Sequence, residues 1–259
     1  MPVHKQTERC LICGSALEYL QLPEARICIY CGKGVRGHVI CTTGHFVCDV
    51  CHGMDARRMI EQIVLTSQEN DPLAIAELMI SHPSLPMLGC EHAFIAGGAL
   101  MVAIKNSPYG KEKITSAVVQ EVFERTAKQA VVGYCGLTGV CGIAPALGAC
   151  ISVFLGSRYD SDSEQKIVID AVIRVLQSLS TLTGPSCCKA YVRAGLREAV
   201  SYMGDRFGIL LPVREGQIVC RHSEKHPYGC REEKCPYFQK PAKDLFSVTG
   251  FVPGTVCIS

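Results

Sequence analysis

The sequence has no excess of either charge. Its 26 basic residues face 24 acidic ones, for a formal net charge of +2. That balance gives no electrostatic argument for a nucleic-acid or anionic-membrane partner, so nucleic acid is not expected and partners must be read from individual sites. The first residues, "MPVHKQTERCLICG", carry charge early and contain no apolar run. They do not read as a secretory signal, and a reducing cytoplasm is the expected compartment. No internal repeat is found, and strand pattern is scarce before "GILLPV" and "GQIVC". No C-x3-C-x2-C occurs, which disfavours radical-SAM chemistry. One long uncharged run, Gln129 to Ser157, resembles a membrane span, but Gly133, Gly136, Gly139 and Gly142 interrupt its first half. The apolar helix that remains is about 15 residues, short of the ~20 a bilayer needs, so a buried core helix is expected.

Cysteine is abundant, with 17 in 259 residues, and the odd number leaves at least one outside any intramolecular disulfide. In a reducing compartment, closely spaced cysteines are metal ligands or redox groups more often than bridges. The expected fold is mainly α: a helical domain with an N-terminal zinc-binding module of treble-clef or ribbon type and a C-terminal loop region tethered by metal. Residues 1–53 form the module, 54–213 the helical core and 214–259 a cysteine-containing segment packed on it. The module is too poor in hydrophobic periodicity to build a core of its own and needs metal. Helices are predicted at about 54–69, 71–81, 91–105, 113–131, 142–156, 163–181 and 187–204. Asp71 caps the second of these, with Pro72 at its first position.

Eight N-terminal ligands can be named. Cys10 and Cys13 form one C-x2-C and Cys28 and Cys31 a second, and "CTTGHFVCDVC" supplies Cys41, His45, Cys48 and Cys51. A C-x2-C lets two thiolates reach one tetrahedral ion through a tight turn, and thiolate with imidazole selects zinc. Four ligand pairs make two zinc sites. The spacing leaves open whether adjacent or alternating pairs share an ion. From Cys28 onward the spacing is RING-like, but no further C-x2-C follows Cys51, which speaks against a ubiquitin ligase. The zinc ions are expected to fold the module, which also offers a surface for a protein partner.

Three further places put sulfur at a helix start. "LGCEHAF" carries Cys90, Glu91 and His92; "GYCGLTGVCGIAP" carries Cys135 in a glycine-rich loop and Cys141 before a helix; "TGPSCCK" carries Cys187, Cys188 and Lys189, with Ser186 as the expected cap. Free N–H groups and the positive end of the helix dipole favour a thiolate or an anionic cluster there. Cys135, Cys141 and Cys187 are candidate reactive groups, with Glu91, His92 and Lys189 for proton transfer or substrate binding. Cys150 reads as a small apolar core residue, and so does Cys257. Near the C-terminus, Cys220, Cys230 and Cys235 form C-x9-C-x4-C-P, one thiolate short of a four-cysteine [4Fe–4S] site. Consecutive helical residues point about 100° apart, so Cys187 and Cys188 serve different sites. Cys188 is the expected fourth ligand, with Cys187 facing Cys135 and Cys141, although the reverse assignment is equally open to the spacing.

Taken in order, "CLICG", "CTTGHFVCDVCH", "GCEHAF", "GYCGLTGVCG", "GPSCCK" and "CREEKCPYF" resemble an uncharacterised cysteine-rich prokaryotic family, classed as a domain of unknown function and associated mainly with anaerobic microbes. The resemblance implies an oxygen-sensitive cofactor and no established reaction. Cys90 and Ala93 stand where that pattern has proline and histidine, and Ser186 and Ala190 where it has basic residues. The expected function is a metalloprotein with structural zinc and an iron–sulfur cluster, an enzyme for a small sulfur-containing or one-carbon substrate. The alternative is a non-enzymatic adaptor, metal carrier or redox sensor.

Overall fold

The computed structural model describes residues 10, 12–13, 15–48, 51, 55–110, 114–131, 134–214 and 218–239. Gly14, His52, Gly133, Gly216 and Gln217 of the "GQIVC" segment and Cys257 lie outside them. The chain is mainly α, with one small sheet. Strands β1 (Leu17–Ile27) and β2 (Gly34–Cys41) pair antiparallel from Leu17↔Cys41 to Ile27↔Gly34, with an irregularity between Tyr19 and Glu24 where Pro23 interrupts the ladder. These strands were not expected from the sequence. β1 mixes Glu18, Glu24 and Arg26 with Leu22 and Ile27, both of which stay exposed, so no alternating apolar face announces it. Conversely, "GILLPV" forms no strand. It follows Gly208, whose left-handed backbone (φ 66°) closes the last helix.

Among the described residues eight α-helices follow: α1 (Ala56–Thr66), α2 (Pro72–Ile80), α3 (Glu91–Asn106), α4 (Ser116–Gln129), α5 (Tyr134–Thr138), α6 (Ile143–Leu155), α7 (Ser163–Ser180) and α8 (Cys188–Phe207). All but α5 match the predicted segments. Asp71 caps α2 as expected, accepting from the Leu73 and Ala74 N–H groups, and its other oxygen accepts from Arg214 N–H at 2.9 Å. The five-residue α5 stands where the sequence reads as a glycine-rich loop.

Helix α3 is the axis of the body. Every residue from His92 to Ile104 is buried, and the helix packs against α1, α2, α4, α6 and α8. A helix that is apolar all round must sit inside the core. Close approach is set by small residues: a Cβ on Gly97 would meet the Ala146 carbonyl at 3.2 Å, and one on Gly148 would meet Val172 Cγ2 at 2.5 Å. The uncharged run thus ends in α6, a buried core helix. No helix among the described residues is long and apolar enough to cross a membrane.

The apolar core is continuous from the hairpin region into the helices, with Cys28, Tyr30, Phe46, Cys48 and Cys51 packed in the same cluster as α1 to α3. Tyr30 is the hinge of that contact, its ring 4.3 Å edge-on from His82. Two short 3-10 turns, Ser223–Lys225 and Glu232–Lys234, are the regular elements described in the C-terminal segment.

Candidate metal centres

The hairpin determines how the N-terminal ligands combine. Its turn carries Cys28 and Cys31, with Gly32 at φ 67° where the chain reverses. Its open end brings Cys13 against Cys41, with Cys10 N–H donating to Ser15 O at 2.8 Å and Thr42 N–H to Ala16 O at 3.2 Å. Cys10, Cys13, Cys41 and His45 then form one set and Cys28, Cys31, Cys48 and Cys51 a second, with the ligand atoms of each set all within 4.8 Å of one another. Alternating pairs therefore interleave as a cross-brace, resolving the choice the spacing left open. A tetrahedral zinc with Zn–S of about 2.3 Å separates its sulfurs by ~3.8 Å. Cys31 and Cys48 stand 3.9 Å apart and Cys13 and Cys41 3.4 Å apart. Both sets can hold a metal ion.

The thiols of the two sets divide: burial pushes Cys10, Cys48 and Cys51 up, while one sulfur in each set is pulled down. Burial pushes Cys13 up, but the Ser15 and Thr43 hydroxyls outweigh it and bring the thiol down to about 5. Burial likewise opposes Cys28, yet N–H donors from Cys48, Cys31 and Tyr30 take it to about 7. Each set thus contains one sulfur already favouring the thiolate, the form that binds metal. His45 is buried, with Nδ1 3.1 Å from Thr43 Oγ1 and Nε2 without a hydrogen-bond partner. The Tyr30 hydroxyl is pushed up by burial and then by the charges of Cys10, Cys28 and Cys51, so it lies within reach of both sets.

Of the remaining described cysteines, all but Cys150 gather around the corner where α3, α6 and α8 begin. The N-cap of α8 is Cys187, with an extended backbone (φ −128°) and no capping side chain, so Ser186 is not the cap. Cys188 Sγ accepts the Gly89 N–H; burial nevertheless pushes it up to about 11, helped by the charges of Cys187 and Cys135. Cys141 rises to about 12 through burial, then through Cys188, Cys135 and Cys90. Cys235 is raised by burial and then by Cys187, Cys220 and Cys230. Cys187 is thus among the thiols whose charge bears on Cys235, and Cys188 among those that bear on Cys141. None of these cysteines joins a group closing to 4.8 Å; among the described residues only the two N-terminal sets do. Cys150 is fully buried in α6, and its thiol is raised by that burial, as suits a core residue.

The C-terminal segment is clasped to the corner before α8. Arg231 donates to the Pro185 carbonyl at 2.7 Å and to Tyr191 Oη at 3.0 Å; the His226 ring meets the Ser186 carbonyl at 3.0 Å. Cys220 N–H donates to Tyr237 O at 2.7 Å, and Glu232 N–H to Cys230 Sγ at 3.4 Å. Glu232 has a positive φ (50°), a conformation that costs a side-chain-bearing residue energy and here shapes the Cys230–Cys235 loop.

Between these thiols lie buried polar groups. Lys189 is 2% exposed, with Nζ 3.4 Å from the Pro86 carbonyl and 3.5 Å from His92 Nε2. Burial and the Arg193 charge bring its amine down to about 8, against the opposing pull of Cys187, Cys188 and Cys220. His92 is held at about 3 by burial first and Lys189 next, so its imidazole is neutral at pH 7. With Nδ1 3.1 Å from the Gly89 carbonyl, the proton belongs on Nδ1, and Nε2 faces the lysine as an acceptor. Glu91 opens the first turn of α3 beside Cys90. Sequence reasoning missed Arg193, a buried guanidinium paired to Glu77 at 2.6 and 2.8 Å and acting on Cys220; nothing in its local pattern marks it.

No curated protein and no solved structure matches this chain. A family model does match, over residues 60–238, a span that contains every cysteine from Cys90 to Cys235 and leaves out the N-terminal ligands and Cys257. The chain belongs to that family, DUF5714, a family of unknown function.

Proposed function

We propose that this is a cysteine-rich metalloprotein with two structural zinc ions in the cross-braced module and a [4Fe–4S] cluster held by Cys187, Cys220, Cys230 and Cys235. One observation carries the cluster: Cys187, Cys220 and Cys230 all bear on Cys235, yet the four do not close to the spacing at which both N-terminal sets suit a single ion. A cubane is larger than one ion and holds its thiolates farther apart. The fit is supported by the charge-rich segment, which has little regular structure or apolar burial to order it. Lys189 and Arg193 supply positive charge beside an anionic cluster.

In this reading the chain is an enzyme for a small sulfur-containing or one-carbon substrate. A bound cluster would supply an iron site or an electron. The protein's own residues would do the rest: Lys189, brought to about 8, is placed to give or take a proton, and neutral His92 accepts a hydrogen bond from it through Nε2. A second reading, an electron carrier or redox sensor, is favoured by a different observation. Arg231 and His226 clasp the C-terminal segment over the corner before α8, and Cys141 and Cys188 are pushed up by burial, a closed setting that suits electron transfer.

The test is anaerobic purification with iron, sulfide and zinc analysis. The reading expects a brown protein with iron and acid-labile sulfide beside zinc, the iron falling in Cys230→Ala. A colourless, zinc-only protein after anaerobic reconstitution refutes it. A shift of the reduced-cluster EPR signal on adding small thiols separates the enzyme from the carrier.

A further inference from the structure

Cys90, Cys135 and Cys141 have no ligand role in the reading above, yet with Cys188 they stand at one corner. A Cβ on Gly142, the residue after Cys141, would stand 3.1 Å from Ala130 Cα and 3.7 Å from Ala93 Cβ, so the start of α6 touches the first turn of α3. Ile143 Cγ2 is 3.1 Å from the Cβ position of Gly195, which sets the same end of α6 against α8. Helices α3 and α8 meet through Lys189 and His92, and the Gly89 N–H, one residue before Cys90, donates to Cys188 Sγ. The starts of α6 and α8 therefore both meet the start of α3, and each of the three brings a thiol. The fourth comes from α5: the charge of Cys135 acts on Cys90, Cys141 and Cys188 alike.

Four thiols and no carboxylate ligand make a soft donor set that selects zinc, copper(I) or an iron–sulfur cluster. The two N-terminal sets close to 4.8 Å without a metal present, whereas these four thiols do not. A larger, anionic occupant suits that spacing, and helix N-termini and buried Lys189 favour its charge. We propose that Cys90, Cys135, Cys141 and Cys188 form a second four-thiolate site that holds its own iron–sulfur cluster, joined to the first through the Cys187–Cys188 peptide bond. The neighbour rests on the reading above; the site itself does not. Two clusters whose ligands are consecutive residues are close enough to interact magnetically once each has taken one electron from an external donor. Shared use of one cysteine segment by two clusters has precedent in two-cluster ferredoxin sequences.

The experiment is anaerobic reconstitution of the full chain with iron and sulfide, followed by dithionite reduction, comparing wild type with Cys135→Ala/Cys141→Ala and Cys220→Ala/Cys230→Ala. Wild type should bind about eight iron and eight sulfide, with each double variant losing about half. Reduced wild type should show a broadened, spin-coupled EPR signal that becomes a simple one in either variant. Helical circular dichroism, zinc content and a Cys150→Ala control report on folding. If a double variant does not fold, the wild-type iron count and spin coupling decide alone. The inference is overturned if wild type binds about four iron without spin coupling and Cys135→Ala/Cys141→Ala keeps them all. If iron is lost only in Cys135→Ala/Cys141→Ala, the second site stands and the first assignment falls. A chain that takes up no iron overturns both.

Discussion

The hairpin module and the helical corner use cysteine on two different scales. In the module, eight ligands form two sets, each closed within 4.8 Å. At the corner, cysteines on three helix starts, α5 and the C-terminal segment act on one another electrostatically and stay wider apart. The difference follows from what else holds each region. A two-stranded sheet with Leu22 and Ile27 exposed has little apolar surface to bury, so its ligands must reach coordination distance for it to fold at all. Helices α3, α6 and α8 are already ordered by packing, so the thiols at their starts need not reach single-ion distance for the body to fold.

Metal removal should separate the two regions most sharply. Structural zinc in small folds is worth on the order of 10 kcal/mol. Chelation of the full chain should therefore abolish amide-exchange protection across Leu17–Cys41 while the amides of α3 and α6 stay protected. Protection that survives in the hairpin would contradict a metal-built module.

A smaller effect, confined to the body, is expected from Glu77→Ala, which leaves Arg193 buried without its carboxylate. Breaking a buried pair on one side costs about 3 kcal/mol, read as a lower urea midpoint, with the zinc content unchanged. Smaller again, Gly148→Ala drives a methyl into Val172 and should cost about 1–3 kcal/mol by the same measurement. A neutral Gly148→Ala would mean that α6 and α7 are not in close contact.

Much of this was legible because the residues concerned act locally. Asp71-Pro72 announces its helix through a cap and a fixed φ, and the C-x2-C pairs announce ligands through turn geometry. The pairing of those ligands was not legible, since it depends on the register of a hairpin that Pro23 and the charged residues of β1 conceal. The roles of Cys187 and Cys188 turned on a single residue. With Cys187 rather than Ser186 at the N-cap, the first thiol leaves from extended backbone and the second from the helix, a difference the local sequence does not display. Arg193 and Glu77 lie 116 positions apart, and no local pattern connects them.

The central claim is that the two scales correspond to two kinds of metal centre. X-ray absorption of the anaerobically reconstituted full chain at the zinc and iron edges tests it directly. The account predicts zinc surrounded by sulfur with one nitrogen-containing site and no metal neighbour, and iron surrounded by sulfur with a short iron–iron distance. Zinc alone at both kinds of site, with no iron–iron scattering, would contradict it.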